Sequence, residues 1–452
     1  MQLHVVKPAE FCGIVEEVAD IYKIKAKGES VPAIMSEQTA KQILANRAFK
    51  EQLPEIKNIS ACPVLVESNM QLEAVCGYHP GVKVYAEGNP PEAMTAAEGV
   101  KVIREEAFKD YLFASPEDES RVVSMYLAPA LLMGQVLPAR PPVFVIEADI
   151  EGTGKGTLAR GLSAVYSASW SNIVQRKSGS VGSDDESLMA ALDRGTGFIL
   201  FDNRRGKFNS PYFESAATEP LIDIRLPYRG NVPCDPTRTI FCFTSNGVQF
   251  VKDMARRLLV IRLNKQPADY QFTKYQAGSI EGYIAANSSR FLGAVFAIVN
   301  AWYGAGKPTT EETRHSFRSW VQSLDWIVQN IMELPGLMGG HAETVERMSN
   351  SALQWVRDVA KIMTRNGIFD WLPASGLADE LNGEMETLPG LTSGAELTED
   401  NHLTVEKNIG RLMKRAFRDR DELTIDSFLI QRKQTYSEMR NKINMYSFSY
   451  KW

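Results

Sequence analysis

The fold of this chain is decided by the stretch Val143-Phe-Val-Ile-Glu-Ala-Asp-Ile-Glu-Gly-Thr-Gly-Lys-Gly-Thr-Leu158. Its apolar first half predicts a buried strand, and its glycine-rich turn leads into a helix that we expect over residues 158–165. The backbone N–H groups of such a turn surround phosphate groups, and the helix dipole points its positive end at the same anion. The stretch therefore predicts an α/β fold that binds a nucleoside triphosphate.

The turn supplies the residues that we expect to contact the nucleotide. They are Glu151, Gly152, Thr153, Gly154, Lys155, Gly156 and Thr157. Lys155 is expected to reach the terminal phosphates, and the Thr157 hydroxyl is expected to hold Mg²⁺. The phosphate-loop pattern G-x-x-x-x-G-K-[ST] has a glycine and a hydroxyl residue where this chain has Asp149 and Gly156. A match this imperfect can arise by chance, so its weight depends on the elements that follow.

A second apolar run ends in an acidic residue. Phe198-Ile-Leu-Phe is followed by Asp202 and Asn203. The pattern predicts a buried parallel strand that ends at Asp202, which would hold Mg²⁺ directly or through water. The alternative is a plain strand that ends in an Asp-Asn turn. Asn203 can orient a water molecule but cannot accept its proton, so either hydrolysis is slow or another group acts as the base.

A third strand and two arginines complete the series. Residues 239–245 are largely β-branched and aromatic, and we expect this strand to break at Asn246, between the γ-phosphate and the attacking water. An ordinary Asn-Gly turn is the alternative. Arg256 and Arg257 precede a further apolar strand over residues 258–261. Adjacent arginines are usually just solvated, but here they are candidates for an arginine finger that reaches a neighbouring subunit's nucleotide.

These elements, in this order, resemble AAA+ ATPases of the type found in replicative helicases of phages, plasmids and mobile elements, close to superfamily three. The resemblance covers about residues 120–270 and extends more weakly into the flanks. It implies a P-loop core in which helices flank a parallel sheet, ATP and Mg²⁺ as cofactors, and a homo-oligomer of the hexameric-ring type with a possible primase or polymerase partner. The implied motif residues are Lys155 for Walker A, Asp202 and Asn203 for Walker B, Asn246 for sensor 1, and Arg256 or Arg257 for the arginine finger.

Two segments are candidates for contacts with single-stranded or forked DNA. The segment before the third strand alternates apolar and polar residues, which predicts a β-hairpin. In helicases of the resembled type such a hairpin enters the central channel, where Arg225, Tyr228 and Arg229 would supply charge and a stacking ring. Arg176 and Lys177 lie in a basic loop of small residues. The alternatives are an edge hairpin with solvated arginines and a plain surface loop.

The carboxyl-terminal segment is locally basic. Residues 401–452 contain eleven Lys or Arg and six Asp or Glu, a net charge of +5, whereas the whole chain carries −5 and residues 1–400 therefore carry −10. A helix over residues 405–417 followed by short strands is predicted, an arrangement that resembles a winged helix-turn-helix. Such a unit could bind duplex DNA or a partner protein, and a solvated basic tail is the alternative.

Length and composition favour a multidomain globular protein. We expect an N-terminal α+β domain over 1–115, the ATPase core over 116–270, a helical domain over 271–372, a linker over 373–400 and the basic unit over 401–452. Hydrophobic residues make up 44% of the chain, and no apolar run is long enough to span a membrane. Five scattered cysteines without CxxC pairs argue against disulfides and structural zinc, so a reducing cytoplasm is expected.

Three functions fit these observations. The first is an ATP-driven helicase or translocase that hydrolyses ATP at subunit interfaces. The second is a helicase loader or nucleotide-gated DNA-binding scaffold with weak hydrolysis, which Asn203 would permit. The third is a nucleoside monophosphate kinase, because a glycine also follows the lysine in the loops of those enzymes. A kinase gives no role to Asn246 or to the paired arginines.

Overall fold

The computed structural model of the chain describes residues 6–148, 150–174, 183–226, 230–382, 399–418, 420–436 and 442–450. Several residues of the predicted sites lie outside the described residues, namely Asp149, Arg176, Lys177, Tyr228 and Arg229. Their roles stay predictions.

The amino-terminal part, over the described residues up to about 95, combines short helices with small sheets. Its elements are α1 (Pro8–Val18), β1 (Tyr22–Ile24), β2 (Ser30–Pro32), α2 (Glu37–Ala45), α3 (Arg47–Gln52), β3 (Asn58–Ser60), β4 (Val64–Ser68), β5 (Gln71–Val75), β6 (Gly77–His79) and β7 (Val84–Ala86). Strand β1 pairs with β2, β4 pairs with β5, and β7 lies between β3 and β6.

The central part is built on one larger sheet. Its elements are α4 (Ala96–Lys101), a π-helical turn (Val102–Ala107), β8 (Leu112–Phe113), α5 (Pro116–Met133), β9 (Val143–Ala148), α6 (Lys155–Val165), β10 (Ser171–Val174), α7 (Asp184–Asp193), β11 (Phe198–Lys207), α8 (Pro211–Thr218), β12 (Ile222–Leu226), β13 (Gly230–Cys234), β14 (Ile240–Gln249), α9 (Lys252–Ala255) and β15 (Leu258–Asn264). The sheet has the order β10-β11-β14-β9-β15-β8, and neighbouring strands are parallel except for β15 and β8.

Alternate residues of β9 enter two different hydrophobic cores. Phe144 and Ile146 pack in the core that contains α5 and α6, whereas Val143 and Val145 pack in the core that contains α7 and α8. A strand buried on both faces is largely apolar, as β9 is from Val143 to Ile146. The molecule is therefore an α/β protein whose parallel sheet is flanked by helices, as predicted.

The strand order changes direction at β9, which creates a crevice at the carboxyl end of that strand. After β9 the chain runs to β10 and β11 on one side, and β14 then inserts between β11 and β9. Strand β15 lies on the other side of β9. Ligands of open α/β sheets bind where the order changes direction in this way. The predicted phosphate turn is the segment that leaves β9 at this point.

Two strands are longer than the sequence predicts. The predicted strand ends at Asp202 and Asn246 are wrong, because β11 and β14 continue side by side to the pair Lys207–Gln249. The register of the pair shifts next to Asp202, and Asn203 has a φ of 49°. This is the geometry of a β-bulge, which re-aims side chains without ending the strand. The extended pair forms a wall beside the phosphate turn.

The predicted β-hairpin is confirmed. Strands β12 and β13 pair antiparallel from Ile222 opposite Cys234 to Leu226 opposite Gly230. Ile222 and Ile224 are buried in the core shared with α7. The alternation of apolar and polar residues therefore fixes which face of the hairpin is buried.

Helices follow the sheet. They are α10 (Ile280–Ala286), α11 (Ser288–Gly304), α12 (Arg318–Asn330) and α13 (His341–Ser349). Trp320, Val321, Leu324 and Val328 are fully buried, which confirms that the apolar stripe of α12 is core packing. Among the described helices, none alone is long and apolar enough to cross a membrane, and only α10 with α11, bent by 83° at their junction, passes that test as a pair.

The carboxyl-terminal unit has a hydrophobic core of its own. Its elements are α14 (Ser351–Arg365), β16 (Leu372–Pro373), α15 (Ala374–Glu380), α16 (Glu399–Phe417), β17 (Glu422–Ile425), β18 (Phe428–Tyr436) and β19 (Lys442–Tyr450), and the sheet order is β16-β19-β18-β17. Val356, Leu377, Ile409 and Phe448 meet in this core. The unit thus begins at α14, within the predicted helical domain. Residues 374–380 of the predicted linker form α15, because Leu377 is buried.

One glycine allows the amino-terminal part to pack closely against the central part. Gly134 follows α5 and lies against β4, where an added Cβ would sit 1.5 Å from the carbonyl oxygen of Leu65. Any side chain at this position would force the two backbones apart. Residues of β4 and β7 accordingly share the core of α5 and α6.

A buried ion network joins the carboxyl-terminal unit to β9, the strand that precedes the predicted phosphate turn. Its members are Asp118, Arg121, Glu147, Arg262, Arg347, Arg357 and Asp426. Arg347 binds the Glu147 carboxylate, with Nη1–Oε1 at 3.0 Å, and both side chains are almost completely buried. Asp426 accepts from Arg262 at 2.8 Å and also pairs with Arg357. Burial alone would raise the pKa of Asp426, but the surrounding arginines outweigh it and hold that pKa well below its usual range.

Replacing Arg347 by alanine is expected to destabilise the protein strongly. The change would leave Glu147 charged and buried without its partner, which typically costs about 3–5 kcal/mol of unfolding free energy. Urea unfolding followed by circular dichroism measures the effect. The control is Arg47→Ala, which breaks the exposed Arg47–Glu51 pair and should leave the midpoint nearly unchanged. Equal midpoints for the two variants would contradict a structural role for the network.

Candidate functional site

The phosphate turn has the backbone conformation that anion binding requires. Gly152 and Gly154 have φ angles of 77° and 87°, in the left-handed region that favours glycine. Gly154 is the N-cap of α6, so the first N–H groups of the helix point out of the carboxyl edge of the sheet. The Thr153 hydroxyl oxygen is buried and bonds to no described residue. Backbone and hydroxyl donors therefore converge where a phosphate would sit.

Lys155 begins α6 and folds back over the turn. Its Nζ donates to the carbonyl oxygen of Ile150 at 3.4 Å, a long contact. The ammonium group is thus held against the turn, and its contact with the terminal phosphates of a nucleotide stays a prediction.

Thr157 lies one residue later than the hydroxyl of the phosphate-loop pattern. Successive side chains on a helix differ in direction by about 100°. The Thr157 hydroxyl therefore leaves the helix in a different direction from a hydroxyl at position 156. Thr157 Oγ1 accepts from Arg160 at 3.3 Å, and Arg160 pairs with Glu281 at 3.1 Å. Gly156 leaves room for that guanidinium group, since an added Cβ would lie 3.1 Å from it. The role of Thr157 as a Mg²⁺ ligand stays a prediction.

Thr244 ties together the two residues at the bulge of β11. Its hydroxyl donates to Asp202 Oδ1 at 2.6 Å and accepts from the backbone N–H of Asn203 at 2.7 Å. Thr244 is buried, Asp202 is half-buried and Asn203 is exposed. Among the described residues none donates to Asp202 Oδ2. Asp202 Oδ1 is therefore fixed by the Thr244 hydroxyl, and Oδ2 is left to accept a ligand.

Asn246 lies beside the start of the phosphate turn. Ser245 of β14 is in register with Glu147 of β9, so Asn246 is level with Ala148, the last residue of β9. The Asn246 Oδ1 atom is buried without a hydrogen-bond partner among the described residues. Buried polar atoms rarely lack a partner in folded proteins. This oxygen is suited to accept a bond from a water molecule at the site.

The extended strands set the spacing of these groups. Strand β14 lies between β9 and β11, so Asp202 is about 10 Å from the axis of β9, at two strand spacings. Asn246 occupies the position between them. Such a gap accommodates terminal phosphates with an attached cation between the turn and the carboxylate.

A cleft opens on the other side of the turn and was not predicted from the sequence. Its volume is about 770 Å³, which is suitable for a nucleotide, and Gly152, Gly154, Tyr111, Phe272 and Tyr275 are among the residues that line it. The aromatic side chains are of the kind that contacts a base and a sugar. The sequence signal for this cleft is the group of aromatic residues after β15, which includes Phe272 and Tyr275. Tyr111 is too distant in sequence to be linked to that group without the structure.

Asp110 organises the wall of this cleft. It accepts hydrogen bonds from the hydroxyl groups of Tyr270 at 3.0 Å, Thr273 at 3.1 Å and Tyr275 at 3.1 Å. Burial, and then the nearby Asp110 carboxylate, raise the pKa of Tyr275 to about 12. Tyr275 is therefore neutral at physiological pH and acts as a hydrogen-bond donor.

Glu151 of the phosphate turn contacts the extended part of β11. Its carboxylate pairs with Arg205 at 2.8 Å, and both side chains are largely exposed. An exposed pair of this kind contributes little to stability. Glu151 is thus at the rim of the turn rather than in the phosphate space.

The two predicted finger arginines lie at the opposite edge of the sheet. The backbone N–H of Val143 donates to the carbonyl oxygen of Arg257 at 3.0 Å, which fixes Arg257 at the amino end of β9. Arg256 and Arg257 both pair with Asp253, at 2.5 and 2.9 Å. The length of β9 separates them from the phosphate turn by about 20 Å. Neither can contact a nucleotide bound at the turn of its own subunit.

A basic cleft surrounds Arg256. Its volume is about 630 Å³, and Lys252, Arg256, Arg314 and Arg318 are among the residues that line it. Arg314 is held by Glu312 at 2.5 Å, whereas the side chain of Arg256 is 64% exposed. The amino edge of the sheet thus presents a positively charged recess.

Of the predicted DNA contacts, Arg225 alone can be placed among the described residues. It lies on β12, on the exposed face of the hairpin, opposite Asn231. Ile222 and Ile224 of the same strand are buried, so the alternation along the strand directs Arg225 away from the core. Its position agrees with a hairpin that presents charge to a ligand.

The residues present fit Mg²⁺ bound together with a nucleotide. Among the described residues, no group of three or more His, Cys, Asp or Glu side chains is arranged to hold a metal ion. Mg²⁺ is, however, commonly held by one or two carboxylates together with the phosphates of its nucleotide. Asp202 supplies such a carboxylate, and the unpartnered Asn246 oxygen lies on the next strand.

Comparisons with known proteins give only distant similarities. No family model and no curated protein matches the chain. The apo A form of the NrS-1 C-terminal region, residues 305–718, is similar over 98% of this chain and 100% of that chain, with 13% identity and a TM-score of 0.34. Cch of SCCmec type IV, described as an active helicase, is similar over 85% of each chain, with 12% identity and a TM-score of 0.36. JCV helicase is similar over 56% of this chain and 73% of that chain, with 11% identity and a TM-score of 0.24. At these values the similarities show no shared activity.

Lys155→Ala is expected to weaken nucleotide binding at least about tenfold, because a charge-assisted contact with the phosphates is lost. Titration of a fluorescent ATP analogue in the presence of Mg²⁺ measures the dissociation constant. The control is Lys41→Ala, which removes the same charge from an exposed lysine on α2. This variant should bind the nucleotide analogue as the parent does. Unchanged binding by Lys155→Ala would remove the turn from the nucleotide site.

Proposed function

We propose that the protein is an ATP-dependent DNA helicase or translocase that acts in the replication of a phage, plasmid or mobile element. It would be an AAA+ ATPase that hydrolyses ATP at the interfaces of a homo-oligomeric ring. The observation that carries the proposal is the division of the site between two edges of one sheet. The phosphate turn, Asp202 and Asn246 occupy the carboxyl edge, and Arg256 occupies the amino edge, about 20 Å away.

A head-to-tail ring brings these two edges together. In such an assembly the amino edge of one subunit faces the carboxyl edge of the next, and each nucleotide lies between them. Arg256 is the better finger candidate, because its side chain is 64% exposed whereas that of Arg257 is 23% exposed. The basic cleft around Arg256 would receive the terminal phosphates of the neighbouring subunit's nucleotide.

In the proposed reaction each of these residues has a separate role. Lys155 and the N–H groups of the turn bind the terminal phosphates, and Asp202 with Thr157 would hold Mg²⁺, which when bound would offset charge on the phosphates. Asn246 and Asn203 position the attacking water. Arg256 from the next subunit stabilises the charge that develops in the transition state.

Movement on DNA would use the hairpin of β12 and β13. In a ring, Arg225 with Tyr228 and Arg229 would line the central channel and grip a single strand by charge and stacking. Arg176 and Lys177 form a second candidate contact. A primase or polymerase partner, and forked DNA as the substrate, belong to the same proposal.

A second candidate is a nucleotide-gated DNA-binding scaffold or helicase loader with weak hydrolysis. The observation that favours it is Asn203, which is exposed at the bulge, at the position where many related ATPases carry a catalytic glutamate. An amide cannot accept the proton of the attacking water. A nucleoside monophosphate kinase is less well supported, since it leaves Asn246 and Arg256 without a role.

Single-stranded DNA is expected to stimulate ATP hydrolysis strongly, and the stimulation should fade as salt rises from low to moderate concentration. The reason is that strand binding through phosphates releases counterions. Steady-state phosphate release with and without DNA measures it. Turnover that appears only after a nucleoside monophosphate is added would support the kinase, and tight ATP binding without turnover would support the scaffold.

Asn203→Glu distinguishes the motor from the scaffold. A large rise in turnover indicates that the missing carboxylate limits hydrolysis, as expected for the scaffold, and no rise indicates a working motor with another base. Asn203→Gln is the matched control, because both side chains strain the left-handed backbone that asparagine tolerates better. A rise in the glutamine variant as well would show that strain, rather than the carboxylate, changes the rate.

A further inference from the structure

The carboxyl-terminal unit presents one long helix to solvent on one side. Helix α16 buries Val405, Ile409, Met413 and Phe417 in the core that it shares with α14, α15 and the small sheet. These positions recur at helical spacing, so the opposite face of α16 is exposed. That exposed face is not used by the nucleotide site or by the proposed channel hairpin.

The exposed face of α16 carries a stripe of cations. The α16 stripe consists of Lys407, Arg411, Lys414 and Arg415, all of them exposed. With a rise of 1.5 Å per residue, the stripe extends over about 12 Å, and the exposed Arg418 follows directly after the helix. Among the described residues, no carboxylate pairs with any of its members, and Arg411 contacts only the Asn408 side chain.

Other cations of the unit are already engaged. Arg432 pairs with Asp421 at 2.8 Å, Arg420 contacts Glu346 at 3.8 Å, and Lys433 lies 4.1 Å from the centre of the Trp371 ring. These three basic residues thus make contacts within the protein, unlike those of the α16 stripe. The local excess of positive charge faces solvent from one helix.

We infer that the α16 stripe is a binding surface for duplex DNA, separate from the single-strand contacts of the proposed channel. A cationic helix face of this length fits against the phosphates that border a major groove. The described face has no aromatic ring on which an unpaired base could stack, which disfavours a single strand. Leu403, one turn before Lys407, is the exposed large apolar residue of the described helix, whereas protein interfaces are dominated by clusters of such anchors.

The buried ion network gives this surface a fixed position relative to the nucleotide site. Asp426, in the turn between β17 and β18, is held by Arg262 of β15 at 2.8 Å and by Arg357 of α14. Arg347 in turn binds Glu147 near the end of β9. A duplex on α16 would therefore be held in a defined orientation to the sheet that carries the phosphate turn.

The test uses the full chain and a fluorescein-labelled blunt duplex of about 20 base pairs, long enough for two turns of DNA. Fluorescence anisotropy gives the dissociation constant over a range of salt concentrations. The variant is the triple substitution Arg411→Ala, Lys414→Ala and Arg415→Ala. The matched control is Lys23→Ala, Lys25→Ala and Lys27→Ala, three exposed lysines of the amino-terminal part whose loss changes net charge equally.

The α16 variant is expected to bind the duplex at least about tenfold more weakly at low salt, with the slope of log affinity against log salt reduced by about 2 to 3. The control should bind as the parent does, and stimulation of ATP hydrolysis by single-stranded DNA should persist in both. Unchanged duplex binding by the α16 variant would overturn the inference, as would an equal loss in the control. Loss of self-association with intact duplex binding would also overturn it, by assigning the stripe to a protein interface. Because duplex binding is measured without ATP, its failure is distinguishable from failure of the proposed motor.

Discussion

The rest of the structure depends on the buried ion pair between Glu147 and Arg347. Glu147 precedes the phosphate turn by only a few residues, and its charge is inaccessible to water. A buried carboxylate is tolerable only when it is paired, so α13 must remain docked on β9. Through Arg347, Asp426 and Arg262 the same constraint holds the carboxyl-terminal unit against the sheet. The end of β9 and the carboxyl-terminal unit are thus held together by one buried network.

The second organising constraint is the length of the central strands. Strands β11 and β14 extend beyond β9 and place Asp202 and Asn246 beside the phosphate turn, and Thr244 fixes their spacing by bonding to Asp202. The length of β9 separates this edge from Arg256 by about 20 Å, a distance that no side chain spans. A complete site of the proposed kind therefore requires a second copy of the chain, and assembly would regulate activity.

Much of this arrangement is predictable from local sequence. Continuous apolar runs identify β9 and β11, the glycines identify the phosphate turn, and the alternation in β12 identifies the hairpin. The bulge at Asn203 is not predictable, because an Asp-Asn pair signals a turn equally well and only the pairing with β14 keeps the strand extended. The cleft beside the turn is also missed, since Tyr111 and Phe272 are brought together by tertiary packing alone.

If each nucleotide site is completed by the neighbouring subunit, as we propose, two inactive variants with defects on opposite sides of the interface should restore activity when they are mixed. The Lys155→Ala variant keeps Arg256 but has lost the lysine of the phosphate turn. The Arg256→Ala variant keeps the turn but has lost the arginine. In rings that assemble from equal amounts, about a quarter of the interfaces join an intact turn to an intact arginine. ATP hydrolysis is expected to recover toward that fraction of the parent rate. Two inactive variants that stay inactive after mixing and reassembly would contradict it.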